Sequence, residues 1–420
     1  MLAAALIALH SGSYADLTGT LTIVDRTEVR TRNYQGETEP ALDAVNTPGA
    51  RLDLVGRTVA FSLGYFPSFT LADLELGLHP QLFQTISSAV SWRATRRLRL
   101  SLGEDGSYGL QNYAYLNPPT EPTAVSGAPV AAPAALQLLP GAQTIRYGSS
   151  RSWASMEVRA SRDLQLTLSP SCFIGGGLDS ASREAIPLQT TPRVQLDVMA
   201  ILDRRDTITT TFAAVDSTFT AFPCDPSTGG PPTAASLALT PNATCAPHDD
   251  LVEASETWRR RLTRSDEIAL AAGVSAARGR FDLAGERTVV LPTGAATVLH
   301  RFAEHGELTA ELRVAPVIDV RYGIIDERGQ ARVACKWTLA RLVFAVSGGF
   351  TQSLPASEVN AVTFAGADAE SRYAIGSDKR FEVGAGLRGA WQQQQPYSPF
   401  FSDVVYAVFV YHEPALRLWP

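Results

Sequence analysis

The sequence predicts an all-β chain, closed into a single transmembrane antiparallel up-and-down β-barrel of about 18 strands, within a span of about 16 to 20. Three observations carry that expectation. In Ala331 to Thr351, Val333, Cys335, Trp337 and Leu339 alternate with Arg332, Ala334, Lys336 and Thr338; after a turn near Ala340-Arg341, Leu342, Phe344, Val346 and Phe350 oppose Ala345, Ser347, Gly349 and Thr351. Each arm is about ten residues long with one apolar face, the length and period of a membrane-crossing strand, whereas soluble strands run to about five or six. Most other segments repeat this rule, and the breaks between them are alternately short and long. No apolar run reaches the roughly 18 residues that a membrane-crossing helix needs, while the two faces of a barrel strand cancel along its length.

A length of 420 residues fits two or three soluble domains or one large barrel, and the pattern decides for the barrel. The net charge of -6, without a basic block, excludes a nucleic-acid binder. Residues 1–15, with an apolar core at 2–9 and the small-x-small end Ser13-Tyr14-Ala15, read as a secretory signal that lacks its basic start, as if the start codon were set too far downstream. The barrel is expected over 16–412 and a tail over 413–420. Of the 4 cysteines, Cys224 and Cys245 bracket one Pro/Gly/Thr-rich loop and are disulfide candidates, while Cys172 and Cys335 sit in strand-like contexts.

The elements follow in order. Leu17 to Arg32 and Arg51 to Tyr65 are expected as the first pair, around a polar loop from Asn33 to Ala50. Phe66-Pro67-Ser68 reads as a turn into a short strand, Phe69 to Gly77, and Leu82 to Thr95 returns to a tight turn at Arg96-Arg97. The next strand sets Leu98, Leu100, Leu102, Tyr108 and Leu110 against Arg99, Ser101, Gly103, Asp105, Ser107 and Gly109. Asn117 to Gly141 has no period and reads as a long loop; Ala114 to Gln143 could fold in as a constriction. Thr144 to Ser161 is strand, with a bulge expected near Ala154, where the alternation slips.

Ser161-Arg162-Asp163 turns into the strand of Leu164, Leu166 and Leu168, and Arg193 to Leu202 and Thr207 to Ala221 flank Asp203-Arg204-Arg205-Asp206. Phe222 to Asp250 is the second long loop. Leu251 to Leu262 turns at Thr263-Arg264-Ser265-Asp266 into Ile268 to Val274. A strand ends at Val314, a turn is expected at residue 316, and Val317 to Asp326 precedes the 331–351 hairpin. Glu370 to Asp378, Phe381 to Trp391 and Val404 to His412 complete the barrel.

In its Arg-bearing turns, Arg96-Arg97 and Asp203-Arg204-Arg205-Asp206, and in the alternating final strand Val405-Ala407-Phe409-Tyr411, the chain resembles bacterial outer-membrane β-barrel proteins, in particular uncharacterised barrels of myxobacteria and their relatives. It departs from their pattern in that Glu413 to Pro420 follow the aromatic end. The resemblance implies a Gram-negative outer-membrane location, short turns periplasmic and long loops extracellular. It also implies contact with outer-membrane lipid and lipopolysaccharide, insertion by the barrel-assembly machinery and a periplasmic export partner.

Strand alternation gives the lumen-lining candidates Arg99, Asp197, Glu253, Arg259, Arg261, Glu307, Glu311, Arg313, Arg332, Lys336, Glu382 and Arg388. Charges of both signs would select solutes by charge and dipole, or pair with one another across strands. Trp92, Trp153, Trp258, Trp337 and Trp391 are candidates for interfacial girdles or for ordinary strand positions. His300 and His305 fall on opposite faces of a strand, so no shared metal is expected, and Gly175-Gly176-Gly177 reads as a bulge or close-packing site. No catalytic grouping and no cofactor site is visible. The functional expectation is a non-enzymatic channel passing solutes or an exported polymer, such as a polysaccharide, through a polar lumen. The alternatives are a plugged structural or adhesion barrel, and an outer-membrane hydrolase.

Overall fold

The computed structural model describes residues 18–34, 41–72, 79–112, 144–224, 243–280, 286–302, 305–319, 324–354, 362–376, 379–394 and 399–417. The chain forms one 18-stranded sheet in which the first and last strands, β1 (Thr18–Tyr34) and β20 (Phe400–Arg417), pair antiparallel and close a barrel. Between them, hairpins joined by short turns follow one another. These are β2 (Ala41–Val55) with β3 (Val59–Ala72), β4 (His79–Arg93) with β5 (Leu98–Asn112), β6 (Thr144–Arg159) with β7 (Leu164–Gly177), and β8 (Gln189–Ile201) with β9 (Asp206–Phe219). They continue as β12 (His248–Arg261) with β13 (Asp266–Arg280), β14 (Glu286–Phe302) with β15 (Gly306–Asp319), β16 (Ile324–Leu339) with β17 (Leu342–Ser353), and β18 (Val362–Ile375) with β19 (Phe381–Gln394). Closure leaves no sheet edge to aggregate.

The rim opposite the short turns carries the other furniture. A one-turn helix, α1 (Ser180–Ala185), joins β7 to β8, and a small sheet of β10 (Phe222–Pro223) and β11 (Thr244–Cys245) lies between β9 and β12. Cys224 and Cys245 form a disulfide there, with Phe222 packed against it. Gly177 lies so close to the Ser182 backbone that a Cβ would stand 2.2 Å from it, so the last of the three successive glycines is a close-packing site for α1. At the other rim, turn chemistry is local: the Asp203 carboxylate accepts from the amides of Arg205 and Asp206 at 2.6 and 2.8 Å, which pull its carboxyl below the usual range.

The barrel is polar inside and apolar outside. Leu102, Tyr108, Val194, Phe212, Val252, Leu270, Leu312, Val333 and Val346 stand exposed on the outward rows. In water such a surface would aggregate; in lipid it is the surface required. Aromatic rings gather on the outward face near the short turns, where Phe302 lies 6.1 Å from Trp337, Trp337 6.4 Å from Phe344, and Phe381 5.0 Å from Tyr411, centroid to centroid. Trp92 and Trp258 share that level and Trp391 sits near the opposite end, positions suited to interfacial rings. An outward exception is the spot where Asn46 donates to Asp25 and Thr27 at 2.7 and 2.9 Å.

Several sequence expectations are corrected. The polar stretch from Asn33 to Ala50 holds most of β2, and the short turn falls at 56–58, inside the strand expected over 51–65. Phe66-Pro67-Ser68 is no turn but the middle of β3, which ends at Ala72; residues 73–78 lie outside the described residues. Residue 316 lies within β15, and β14 is a strand that the pattern did not yield. Val317 to Asp326 divides between β15 and β16, with 320–323 outside the described residues. No register shift occurs at Ala154: the alternation slips because Trp153 faces inward, its ring lying where a Cβ on Gly103 would be 2.1 Å away. β20 runs on to Arg417 with a shift between Leu21 and Ile23 of β1, so residues 413–417 belong to the strand. The expected constriction, 114–143, and the segment 1–15 lie outside the described residues.

Candidate functional site in the barrel lumen

Ladder registers place all twelve lumen candidates on inward rows. Glu307 stands directly opposite Lys336, and Glu311 opposite Arg332, between β15 and β16. Arg259 approaches Glu267 at 3.3 Å, and Arg301 approaches Glu307 at 3.5 Å. Asp197 accepts from Thr211 at 2.7 Å and from Gln195, while Arg99 points toward Ser91. Arg313 lies opposite Gln330, Arg261 opposite Glu267, and Glu253 opposite Ser275. The charges are thus distributed around the wall with partners of opposite sign or polar neighbours nearby.

The densest cluster lies at the seam, where sequence reading singled out only Glu382 and Arg388. Arg26 of β1 meets Glu28 at 2.7 Å and reaches Glu370 of β18 at 2.5 Å. Arg372 bridges Glu370 and Glu382 at 2.9 and 2.7 Å, Arg388 holds Asp368 at 3.0 Å, and the Tyr406 hydroxyl donates to Glu370 at 3.0 Å. Beneath this layer, Val404, Tyr406, Val408 and Val410 form a buried apolar row on the inward side of β20. That strand is therefore apolar on both faces: outward rows meet lipid, and the inward row is roofed by ion pairs. The signal available in the sequence was Arg26, Glu28 and Arg30 at alternate positions of β1.

A second sector is rich in hydroxyls, set among charges that face one another across the ladder, Arg99 opposite Glu157 and Asp105 opposite Arg151. On β4 to β7 the inward rows carry Ser87, Ser91, Ser101, Ser107, Ser149 and Ser155, with Ser107 and Ser149 hydrogen-bonded at 2.6 Å. Aromatic rings lie against inward glycines here and on the adjoining β2 and β3: Phe66 beside Gly49 and Gly64, Trp153 beside Gly103, and Phe173 beside Gly175. The missing Cβ gives each ring its place against the backbone.

The third feature narrows the mouth. β13 and β14 pair from Asp266–His300 to Arg280–Glu286, but β14 and β15 pair only as far as Gly294–Val314, while β15 and β16 continue to Asp319–Ile324. The described end of the β15–β16 hairpin, residues 315–319 and 324–328, has left the wall. On its outer face Ile325 packs on Ala277 of the inward face of β13, with Ile318 on the hairpin side and Leu251, Val289 and Leu291 on the wall side flanking that pair, and one parallel bridge joins Arg280 to Ile324. Since outer face meets inner wall, these strand ends lie inside the barrel. Extending the ladder would set Pro292 opposite Pro316, and neither can donate a hydrogen bond.

On the outward face near the long-loop rim, Asp216 and Asp250 stand directly opposite one another, and His248 Nε2 lies 3.2 and 3.4 Å from their carboxylates. Facing carboxylates repel, and the imidazole relieves that repulsion when protonated. The three groups have the spacing of a metal-ligating set, at positions the sequence reading did not join. His300, by contrast, binds Asp266 at 2.6 Å and not His305. Cys172 and Cys335 are free thiols on outward rows.

Among known proteins, a family profile matches residues 11–396, that of the EpsX exopolysaccharide export family. None of the curated proteins matches the chain. Similar solved structures include the siderophore receptor PirA from Acinetobacter baumannii, at 10% identity and TM-score 0.48 over 96% of this chain and 81% of that one. Pseudomonas aeruginosa OccK2 (OpdF) is similar at 11% identity and TM-score 0.46, over 94% of this chain and 98% of that one. The FrpB iron transporter from Neisseria meningitidis gives 7% identity and TM-score 0.48, over 93% and 81%.

Proposed function

This chain belongs to the EpsX exopolysaccharide export family, and on that premise we propose that it is an outer-membrane channel through which an exported polysaccharide passes. The observation that carries the reading is the polarity of the barrel: an apolar outward surface enclosing a wall of hydroxyls, aromatic rings set against glycines and charges paired across strands. A sugar polymer presents hydroxyls and apolar C–H faces in alternation. Serine hydroxyls and aromatic rings exchange contacts with both without holding either tightly, and paired charges leave little net field to retain or repel it. The protein acts as a conduit and performs no chemistry on its cargo.

In this reading the short turns face the periplasm, where an export partner delivers the chain, and the long loops face outward among lipopolysaccharide. The barrel-assembly machinery inserts the strands. The test has two parts. Single-channel conductance of the refolded protein in planar bilayers, at two salt concentrations and both polarities, measures whether the lumen passes ions. Surface polysaccharide in cells lacking the gene, complemented by wild type or by a lumen variant such as Trp153→Asp, measures export. Normal surface polysaccharide in the deletion strain would overturn the reading. Insertion without current would favour a plugged structural barrel.

A further inference from the structure

The geometry points to a gate: we infer that the tip of the β15–β16 hairpin, meaning its described strand ends, residues 315–319 and 324–328, closes the lumen by seating on the inner wall and opens it by swinging off. The inference rests on the export reading for its purpose, but its physical basis is independent. The two edges of the tip are held differently. On the β17 side the ladder continues to Arg328–Ser353, the Leu354 amide donates to the Glu327 carbonyl, and the Asp326 carboxylate accepts from Arg328 at 2.9 Å and from the Ser353 hydroxyl. On the β14 side the ladder is lost above Gly294–Val314, where Pro292 and Pro316 would face one another. One edge is a hinge and the other is a free flap.

The seat is shallow and apolar. Ile325 lies on Ala277, flanked by Ile318 and by Leu251, Val289 and Leu291, inward side chains that would otherwise line a water-filled mouth. Nothing in a purely polar conduit calls for apolar residues on those inward rows, and the tip explains them. Gly279, at φ +157°, permits the approach: a Cβ there would stand 2.0 Å from the Asp249 carboxylate and 3.0 Å from Ile325. On the same stretch of wall the hydroxyls of Ser275 and Thr293 are buried without a hydrogen-bond partner. That is a cost of the closed state which hydration removes when the mouth opens. Apolar contact favours closure and orphaned hydroxyls favour opening, so the balance is one that a polymer end or an export partner can tip.

The test uses the full-length protein with Cys172→Ala and Cys335→Ala, to which Ala277→Cys and Ile325→Cys are added. In planar bilayers the oxidised form should show low, steady conductance and the reduced form several-fold higher conductance with frequent transitions. The parent lacking the added pair controls for reduction of Cys224–Cys245. Ile325→Asp, without any cross-link, should raise mean conductance several-fold and lengthen open times. Equal conductance of the oxidised and reduced forms, or an unchanged current in a correctly inserted Ile325→Asp barrel, would overturn the gate. Because ion current is read, this result stands apart from cargo identity: a working gate with normal surface polysaccharide in the deletion strain would sink the export reading and leave the gate.

Discussion

Arg26 of β1 and Glu370 of β18 meet at 2.5 Å although β20 and β19 lie between their strands, so one ion pair braces the seam at which the barrel closes. Glu370 is 9% exposed at its side chain and holds Arg26, Arg372 and Tyr406 together. Glu370→Ala strips Arg26 and Arg372 of the carboxylate they share over the buried valines of β20 and leaves each with one partner, Glu28 and Glu382. We expect it to lower stability by about 3 kcal/mol, read as earlier thermal unfolding in detergent. The double variant Arg26→Ala with Glu370→Ala should be less destabilised than the sum of the single changes, because each single change already removes the contact the two residues share.

The free thiols report which way the wall faces. Cys172 and Cys335 occupy outward rows, and Lys336, the next residue along, points inward. In lipid vesicles an apolar maleimide should modify both native thiols while a charged one spares them. Lys336→Cys in a Cys172→Ala, Cys335→Ala background should react with the charged reagent. The reverse labelling pattern would mean that the inward and outward rows have been exchanged. Unreduced, unfolded protein should yield two alkylated cysteines, since Cys224 and Cys245 are joined.

Legibility in the sequence followed the chemistry of turns. Thr95, Ser161, Asp203 and Thr263 each accept from amides within their turn, and hairpins built on such side chains were found in place. Where proline and glycine sit inside strands, reading failed. Thr47-Pro48-Gly49 made β2 look like loop, and Phe66-Pro67 made β3 look like a turn. Pro48 and Pro67 prove to face each other across that ladder, which skips residues 47 to 49 and then resumes. The lumen candidates were legible wherever one face was plainly charged. The seam was not, because β20 is apolar on both faces and only the folded barrel brings β18 within reach of β1.

Asp179 caps α1, accepting from the Ser182 amide at 2.8 Å, and this hydrogen bond pulls its carboxyl below the ordinary carboxylate range. A lowered folded-state value means that the cap contributes fully above the unfolded carboxyl's pKa and is lost as pH falls through the lowered one. Amide exchange at Ser182, corrected for intrinsic rate, should therefore accelerate under acid before exchange in the strands does. Asp179→Ala should remove the pH dependence and leave that amide fast throughout.

The two facing proline pairs separate what sequence does from what packing does at the mouth. At Pro48 and Pro67 the β2–β3 ladder loses the pairs at 47 to 49 and recovers on both sides, so opposed prolines alone interrupt a barrel wall only locally. At Pro292 and Pro316 the ladder does not recover, although β14 extends eight residues past the break from Glu286 and β15 continues to Asp319. The difference is the apolar seat, which holds Ile318 and Ile325 inside and keeps β15 from rejoining β14 above the prolines. Replacing both prolines, Pro292→Val with Pro316→Thr, should then add slow-exchanging amides only next to the break and leave the hairpin seated. Ile325→Asp should do more with the prolines intact: the tip leaves the wall, β15 can re-pair with β14 above the gap, and amides between 286 and 291 that exchange freely become protected. If the proline pair alone kept the strands apart, the double proline variant would restore the whole ladder and Ile325→Asp would add no protection, and amide exchange by mass spectrometry distinguishes the two patterns directly.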